Sequence, residues 1–462
     1  MSRAIAGIIL AAGKGTRMKS DLPKCLHPVC GVPMADLVGR AMMAAGVQVP
    51  ILVVGHGGEL LQDRFGDRFS YAWQHEQLGT GHATLMAAES LLGYDGPVFV
   101  APGDVPLLSA EVFQKLVASY EGTGDATVAT VRVSDPTNYG RILRDTSGLV
   151  TAIVEEKDAT DGQKSIKEVN SGVFVFDAKT LFEVLPTLEP ANKQGEYYLT
   201  DMVSALRELG RPVRALEFSD PDLLRGVNDR WSLAEASKVL RTQILRRHAM
   251  NGVSILDPDS TYVEPDVEVG VDTILEPSTQ LLGKTKVGDR CRIGPSSLVE
   301  DSLVGDDCII FMSRVAEAEM QAGSRCGPFA NIRPNSVLGP GVKIGNFVEV
   351  KNSKLHGRVS VSHLTYLGDS EVGEGTNIGA GTITCNYDGF SKNRTLIGAN
   401  VFIGSNSTLI APVEIGNGAM TAAGSVVSSG TYPEDALVIG RTRTEVKEEW
   451  AALWRRKRQS ND

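Results

Sequence analysis

The sequence predicts an α/β domain built on a Rossmann-like mixed sheet, joined by a long helical arm to a parallel β-helix. Three observations carry that reading. Apolar strand-like runs alternate with helix-period segments up to about residue 228. A single helical stretch then follows from Asp229 to Met250. Beyond Gly252, aliphatic residues recur every six positions, a period that belongs to neither a helix nor an ordinary strand. The expected divisions are 1–229, a linker over 230–251, and 252–462.

Composition narrows the function classes. A chain of 462 residues has room for two or three domains with cores of their own. Its formal net charge of −10 argues against nucleic acid as the main partner. No apolar run approaches the length of a membrane span. The run from Ala4 to Ala12 is short, contains Gly7, and reads as a strand rather than a signal peptide. The cysteines (25, 30, 291, 308, 326 and 385) show neither a Cys-x-x-Cys pair nor zinc-ligand spacing. Reduced thiols in a cytoplasmic protein are the simple expectation.

The first strand, Ile5–Leu10, breaks into Ala11-Ala12-Gly13-Lys14-Gly15-Thr16-Arg17-Met18-Lys19-Ser20-Asp21-Leu22-Pro23-Lys24. Gly13 and Gly15 let backbone N–H groups approach a ligand, and Lys14, Arg17, Lys19 and Lys24 supply cations. Such a turn after a strand suits a polyphosphate. It lacks the Gly-Lys-Ser/Thr of a Walker A loop and the third glycine of the dinucleotide fingerprint. On the glycines alone, a plain strand-to-helix turn stays open. The whole string resembles the signature of the sugar-1-phosphate nucleotidyltransferases.

Further strands are expected at Pro50–Val54, Val98–Ala101, Thr127–Val133, Leu149–Val154 and Gly172–Phe176, and helices at Met34–Ala45 and Ala83–Leu92. Ligands of such sheets bind at the carboxyl ends of strands. The loop Gln74-His75-Glu76-Gln77-Leu78-Gly79-Thr80-Gly81-His82-Ala83 could read a base through backbone groups and the Gln74 amide. Ala101-Pro102-Gly103-Asp104 sets one carboxylate at a strand end, suited to Mg²⁺ on phosphates or to an Asx turn near Ser109. Turns at Asn138–Arg141, Ile153–Lys157, Glu168–Gly172 and Gly226–Arg230 complete the set. In this order they resemble the uridylyl branch of the same family. That resemblance implies that Leu10, Ala11, Ala12, Gly13, Lys24, Gln74, Gly79 and Thr80 hold the uridine nucleotide. Pro102 and Gly103 join the same site, Gly140, Glu155 and Asn170 hold N-acetylglucosamine, and Asp104 and Asn228 bind Mg²⁺. Arg17 and Lys24 steady charge at the transferred phosphorus. The reaction needs cations, metal ligands and backbone donors, because a phosphate monoester is already a competent nucleophile.

In the arm, Leu233, Ala236, Leu240, Ile244 and Leu245 recur at helical spacing. In the second half, Ile332, Leu338, Ile344 and Val350 keep a six-residue phase, as do Ile397, Ile403, Leu409, Ile415, Thr421 and Val427. This pattern resembles the left-handed β-helix of the hexapeptide acyltransferases, which implies handedness and a homotrimer. Two departures stand out. Cys385 to Leu396 is an inserted loop carrying Asn386-Tyr387-Asp388-Gly389, and the phase slips around Leu355, Val361 and Leu367. The slipped segment contains His363, with Tyr366 nearby. Glu349, sharing a strand face with Lys351, is expected to orient His363.

Together the halves, from residue 3 to 443, resemble a bacterial bifunctional uridyltransferase and acetyltransferase family. The resemblance implies acetyl transfer from acetyl-CoA to glucosamine-1-phosphate, then uridylyl transfer from UTP to N-acetylglucosamine-1-phosphate with release of pyrophosphate. His363 is then the general base. Arg333 and Lys351 grip the sugar phosphate, with Tyr366 and Asn377 on the sugar. Ala380, Asn386, Tyr387, Ser405, Ala423 and Arg441 line the acetyl-CoA site, with Arg443 as an alternative to Arg441. A single-activity nucleotidyltransferase with a β-helix for assembly is the competing reading, and a non-catalytic sugar-nucleotide binder a third. The tail Glu445–Asp462 is expected to be helical, its Arg455-Arg456-Lys457-Arg458 run a solvated end.

Overall fold

Among the described residues of the first half, nine strands form one mixed sheet. They are β1 (Ala6–Leu10), β2 (Ile51–Val54), β3 (Ser70–Trp73), β4 (Pro97–Pro102), β5 (Ala126–Arg132), β6 (Arg141–Arg144), β7 (Val150–Val154), β8 (Glu168–Asp177) and β9 (Val213–Phe218). The main path runs β9-β5-β8-β4-β1-β2-β3, with β6 bonded to β8 and β7. β1 is central and parallel to both neighbours, while β8 lies antiparallel between β4 and β5. Ile8 and Ile9 are wholly buried because the two faces of β1 feed different core clusters. A strand covered on both faces reads as an unbroken apolar run. The computed structural model describes residues 5–120, 126–190 and 192–459. The chain forms two compact units, Met1–Gln243 and Ile244–Asp462.

Three local expectations change. Glu168–Gly172, expected as a turn, is strand: β8 begins at Glu168 and takes a register shift between Asn170 and Phe174. The helix expected over Ala83–Leu92 runs instead over Thr80–Leu85, with a separate 3-10 turn at Glu89–Leu91. Its first turn is held from outside, since the Gly81 N–H donates to the Tyr197 carbonyl. β6 and β9 were not foreseen. In β6 the charged residues hide the pattern: Arg141 is buried against Glu156, and Arg144 pairs with buried Glu168.

The arm is helical over Arg230–Met250. Its Ala236 packs with Val29, Met34, Leu107 and Val227 in a small cluster of the first unit.

In the second unit all strand pairs of the two large sheets are parallel, as a β-helix requires. One ladder climbs from coil to coil through Ile293, Ile310, Cys326, Ile344, Val361, Ile378, Ile403 and Thr421. The residues of the six-residue phase are buried, with Ile332, Leu338 and Val350 at 0% exposure. A coil one residue short of three hexapeptides separates Ile344 from Val361, which is the phase slip seen in the sequence. The long strands Lys343–Lys351 and Ser360–Gly368 lie side by side there, turning at Phe347 and Leu364 in left-handed backbone conformation. The tail is helical only over Trp450–Gln459, and Arg455, Arg456 and Lys457 are exposed. The Arg458 side chain and residues 460–462 lie outside the described residues.

Candidate active sites

The glycine turn after β1 opens a cavity of about 410 Å³. Leu10, Ala11, Ala12, Gly13, Arg17, Lys24, Gln74, Gly79, Thr80, Pro102, Asp104 and Asn228 all line it. Gly15 is left-handed, and a Cβ there would sit 2.6 Å from Lys24 Cβ, so the turn needs glycine to bring Lys24 inward. Lys24 Nζ contacts Asp104 Oδ2 and lies 3.0 Å from Asn228 Oδ1, to which Arg17 Nη2 also donates at 2.8 Å. Four residues from three distant segments therefore meet at one point. Lys14 and Lys19 are exposed and take no part in the lining. Cys25 lies beneath, its thiol pushed up to about 12 by burial and by the Asp104 charge, with Lys24 opposing. It is an inert wall.

Asp104 and Asn228 also pass a test as metal ligands. Two hard oxygens, one anionic, converge on the position now held by the Lys24 ammonium. That donor set suits a cation that draws its remaining ligands from phosphates and water. No group of three or more His, Cys, Asp or Glu poised for a metal occurs among the described residues.

Gly140, Glu155 and Asn170 form a second cluster. The Asn170 N–H donates to the Gly140 carbonyl at 2.9 Å, and a Cβ on Gly140 would lie 3.1 Å from Glu155 Oε1. Burial pushes the Glu155 carboxyl above its ordinary range, aided by Asp201 and Asp158, while a 3.4 Å hydrogen bond from Thr200 Oγ1 opposes the shift. The backbone N–H of Gly103 donates to Leu10, tying β4 to β1 at the cavity edge. Sequence reasoning passed over Thr200 and the cavity-lining Glu196, because the segment 196–200 carries no motif. Its backbone is what joins the two clusters: Tyr197 pairs with Leu78 and Gly81, and Leu199 N–H donates to Thr80 Oγ1.

In the β-helix, Asn346, His363, Ala380, Ser405 and Ala423 stack in one column on five successive coils. His363 Nδ1 lies 2.7 Å from Asn346 Oδ1. The expected orienter, Glu349, is engaged elsewhere: Arg333 Nη1 donates to Glu349 Oε1 at 2.6 Å. Glu349 and Tyr366 are cross-strand neighbours, and Arg333 and Lys351 follow the paired residues Ile332 and Val350. Lys392, from the inserted loop, lies alongside Lys351 and pulls its ammonium below the ordinary lysine range, with some burial and Arg333 adding to the effect. Lys351, Lys392 and Arg333 thus gather beside the carboxylates Asp369 and Glu349, cations that a phosphate could also engage.

Asn386 and Asn352 donate to Asp369. Those bonds, with Lys351 and Lys392, outweigh burial and hold the Asp369 carboxyl below its usual range. Tyr387 donates to Gly389, and Asp388 accepts from Phe390, Ser391 and Asn393, so the loop has its own internal frame. Asn377 pairs with Ser360 of the preceding coil. Arg441 and Arg443 are both exposed, and no contact distinguishes them. Asn346 and Lys392 were missed in the sequence. One lies a single coil before His363 and the other inside the recognised loop, so coil arithmetic could have found both.

Comparison with known proteins matches both halves. Residues 7–206 match a MobA-like NTP transferase domain, and residues 394–429 match bacterial transferase hexapeptide (six repeats). A bifunctional protein GlmU of Streptococcus agalactiae serotype III is 47% identical, over 96% of this chain and 97% of the relative. Those of Heliobacterium modesticaldum and Acetivibrio thermocellus are 47% and 44% identical over 96% of this chain. The chain belongs to the bifunctional GlmU family. It is a two-domain transferase of UDP-N-acetylglucosamine synthesis, a uridyltransferase joined to a left-handed β-helix acetyltransferase. GlmU substrates are small molecules, and nucleotidyltransferases of this kind generally use a divalent metal. No helix among the described residues is long and apolar enough to cross a membrane.

Proposed function

We propose that residues 1–229 carry uridylyl transfer and residues 252–462 acetyl transfer, with 230–251 as the connecting arm. In the second domain His363 Nε2 takes a proton from the ammonium of glucosamine-1-phosphate. The freed amine attacks the acetyl-CoA carbonyl, the C–S bond breaks, and coenzyme A leaves as the thiol once protonated. Arg333, Lys351 and Lys392 bind the sugar phosphate, and Tyr366 and Asn377 the sugar. Ala380, Ser405 and Ala423 continue the His363 column as a track for acetyl-CoA, with Asn386, Tyr387 and Arg441 beside it. Ser405 is assigned to the developing oxyanion. The observation that carries this reading is the single column that runs from Asn346 through His363 to Ala423 beside the cation cluster.

In the first domain an oxygen of N-acetylglucosamine-1-phosphate attacks the α-phosphorus of UTP and pyrophosphate leaves. Gly140, Glu155 and Asn170 hold the sugar. Leu10 to Gly13, Gln74, Gly79, Thr80, Pro102 and Gly103 hold the nucleotide, and Arg17 and Lys24 balance charge on the phosphates. Asp104 and Asn228 would hold Mg²⁺, which neutralises phosphate charge when bound. With the metal there, Lys24 would pair with a phosphate in place of the two oxygens.

Assembly as a homotrimer is supported by an exposed apolar edge. Phe329, Phe347 and Leu364 occupy the same corner on successive coils, 51%, 55% and 62% exposed, all in left-handed conformation. Bulky residues pay for that conformation, and a second copy covering the edge would offset the cost. Free thiols among the described residues suit the cytoplasm. The test is His363→Ala assayed for both half-reactions on one sample. Acetyl transfer should collapse while uridylyl transfer persists. Retained acetyl transfer would remove His363 as base.

A further inference from the structure

We propose that His82 sets the pyrimidine selectivity of the uridylyl site by locking the side-chain amide of Gln74. The inference rests on the reading that this cavity receives the uridine base. Gln74 is only 3% exposed and follows β3 at the cavity wall. Its Nε2 lies 3.1 Å from the Gly79 carbonyl oxygen and 3.0 Å from His82 Nδ1. A carbonyl oxygen can only accept, so the amide atom facing Gly79 is the NH₂ group, whichever way the amide is otherwise read. The second amide proton then points at His82, whose Nδ1 must accept it. His82 is therefore neutral, with its proton on Nε2.

Both donors of Gln74 are consumed in this way. What remains for a ligand is Oε1, an acceptor and nothing else. Uracil offers an N–H at N3, which this oxygen can receive. Cytosine offers a lone pair at the same position, and two lone pairs facing in a buried site repel. Thymine carries the same N3–H as uracil, so the lock divides uracil and thymine from cytosine and leaves the first two alike.

The sequence supplies both anchors from one short turn. Gly79 is left-handed at φ 112, and a Cβ there would fall 2.5 Å from the Tyr197 carbonyl, so the carbonyl that faces Gln74 depends on glycine. His82 lies in the helix that begins right after it, Thr80–Leu85. Without His82 one amide proton of a buried side chain loses its acceptor. The amide is then held by the Gly79 carbonyl alone, so a turn that offers its NH₂ to cytosine sacrifices one hydrogen bond instead of two.

The experiment compares kcat/KM for UTP, CTP and dTTP, with saturating N-acetylglucosamine-1-phosphate, in the full-length protein and its His82→Ala and His82→Asn variants. The expected result is a UTP-over-CTP ratio that falls about tenfold or more in His82→Ala, the worth of one buried hydrogen bond. The UTP-over-dTTP ratio should stay level, and His82→Asn should restore selectivity by placing Oδ1 where Nδ1 was. Circular dichroism and the melting curve of each variant report that the domain holding His82 is folded. If His82→Ala proves unstable, His82→Lys serves, because its donor opposes the amide and should lower the ratio too. An unchanged UTP-over-CTP ratio in these variants overturns the lock, as does an equal fall against dTTP. If the unaltered protein itself takes CTP as well as UTP, the uridine reading of the cavity fails along with the lock.

Discussion

His363 Nδ1 and Asn346 Oδ1 face each other at 2.7 Å across adjacent coils of the β-helix. An amide oxygen accepts, so Nδ1 carries the proton and Nε2 presents its lone pair. The charged groups on the paired strand Lys343–Lys351 are Lys343, Glu349 and Lys351, and Glu349 is engaged by Arg333. A neutral partner thus orients the imidazole without adding charge beside it. Asn346→Ala should lower kcat for acetyl transfer about tenfold to a hundredfold, the usual scale for a partner that orients a working imidazole. Asn346→Asp should shift the acid limb of the kcat–pH profile to higher pH, since a carboxylate stabilises imidazolium. An unmoved profile with unmoved kcat would sink the assignment.

The Lys24, Asp104, Arg17 and Asn228 cluster predicts a clean division of labour. Lys24→Ala or Asp104→Ala should cut kcat/KM for uridylyl transfer about a hundredfold to a thousandfold, the scale for losing one preorganised electrostatic contact. Acetyl transfer by the same sample should be untouched. A chelator should stop uridylyl transfer alone, and added Mg²⁺ should restore it. Chelator-resistant uridylyl transfer would refute the metal role of Asp104 and Asn228.

Glu155 ties its cluster with Gly140 and Asn170 to pH. Burial raises its folded pKa above the ordinary glutamate value near 4.3. The folded state then binds more protons than the unfolded state between the two pKa values. Its contribution is favourable below the unfolded pKa and is lost as pH rises through the folded one. Glu155→Gln should therefore raise the melting temperature at neutral pH relative to the unaltered protein, and flatten its rise on acidification. The same variant should raise KM for N-acetylglucosamine-1-phosphate. Calorimetry across pH 4 to 8 checks the first two outcomes, with roughly that window set by the glutamate reference value.

Lys392 closes the cation cluster from the inserted loop. Lys392 and Lys351 disfavour each other's charge, with Asp369 opposing, and a bound phosphate would relieve the pair. Lys392→Ala should raise KM for glucosamine-1-phosphate about tenfold, as expected when one charge-assisted contact to phosphate is lost. Inorganic phosphate should raise the melting temperature of the unaltered protein more than that of the variant. Equal stabilisation of both would count against a phosphate site there.

Most of the fold was legible in the chain itself. The aliphatic ladder, read as Ile332, Leu338, Ile344 and Val350, is the buried core of the β-helix, because a repeat that places one side chain inward per short strand keeps its phase in sequence. The run before Gly13 was legible as a buried strand because both of its faces are covered. What escaped were elements whose burial depends on distant partners. β6 hides its arginines only by pairing them with Glu156 and Glu168. Glu168–Gly172 reads as a turn from its polar residues, yet sheet pairing on both sides draws it into β8.

The sites divide the same way. Sequence alone determined which segments are candidates for the chemistry: the glycine turn with Lys24, the Asp104 strand end, the slipped coil with His363 and the inserted loop. Those are local patterns of residue type and spacing, set by the backbone freedom of glycine and the period of each element. Only the tertiary structure decided who faces whom. It engaged Glu349 with Arg333 and gave His363 to Asn346, brought Lys392 to Lys351, and set His82 behind Gln74. Such pairings depend on side-chain direction across coils and turns, where one residue of slip exchanges one partner for another, and no one-dimensional pattern records that.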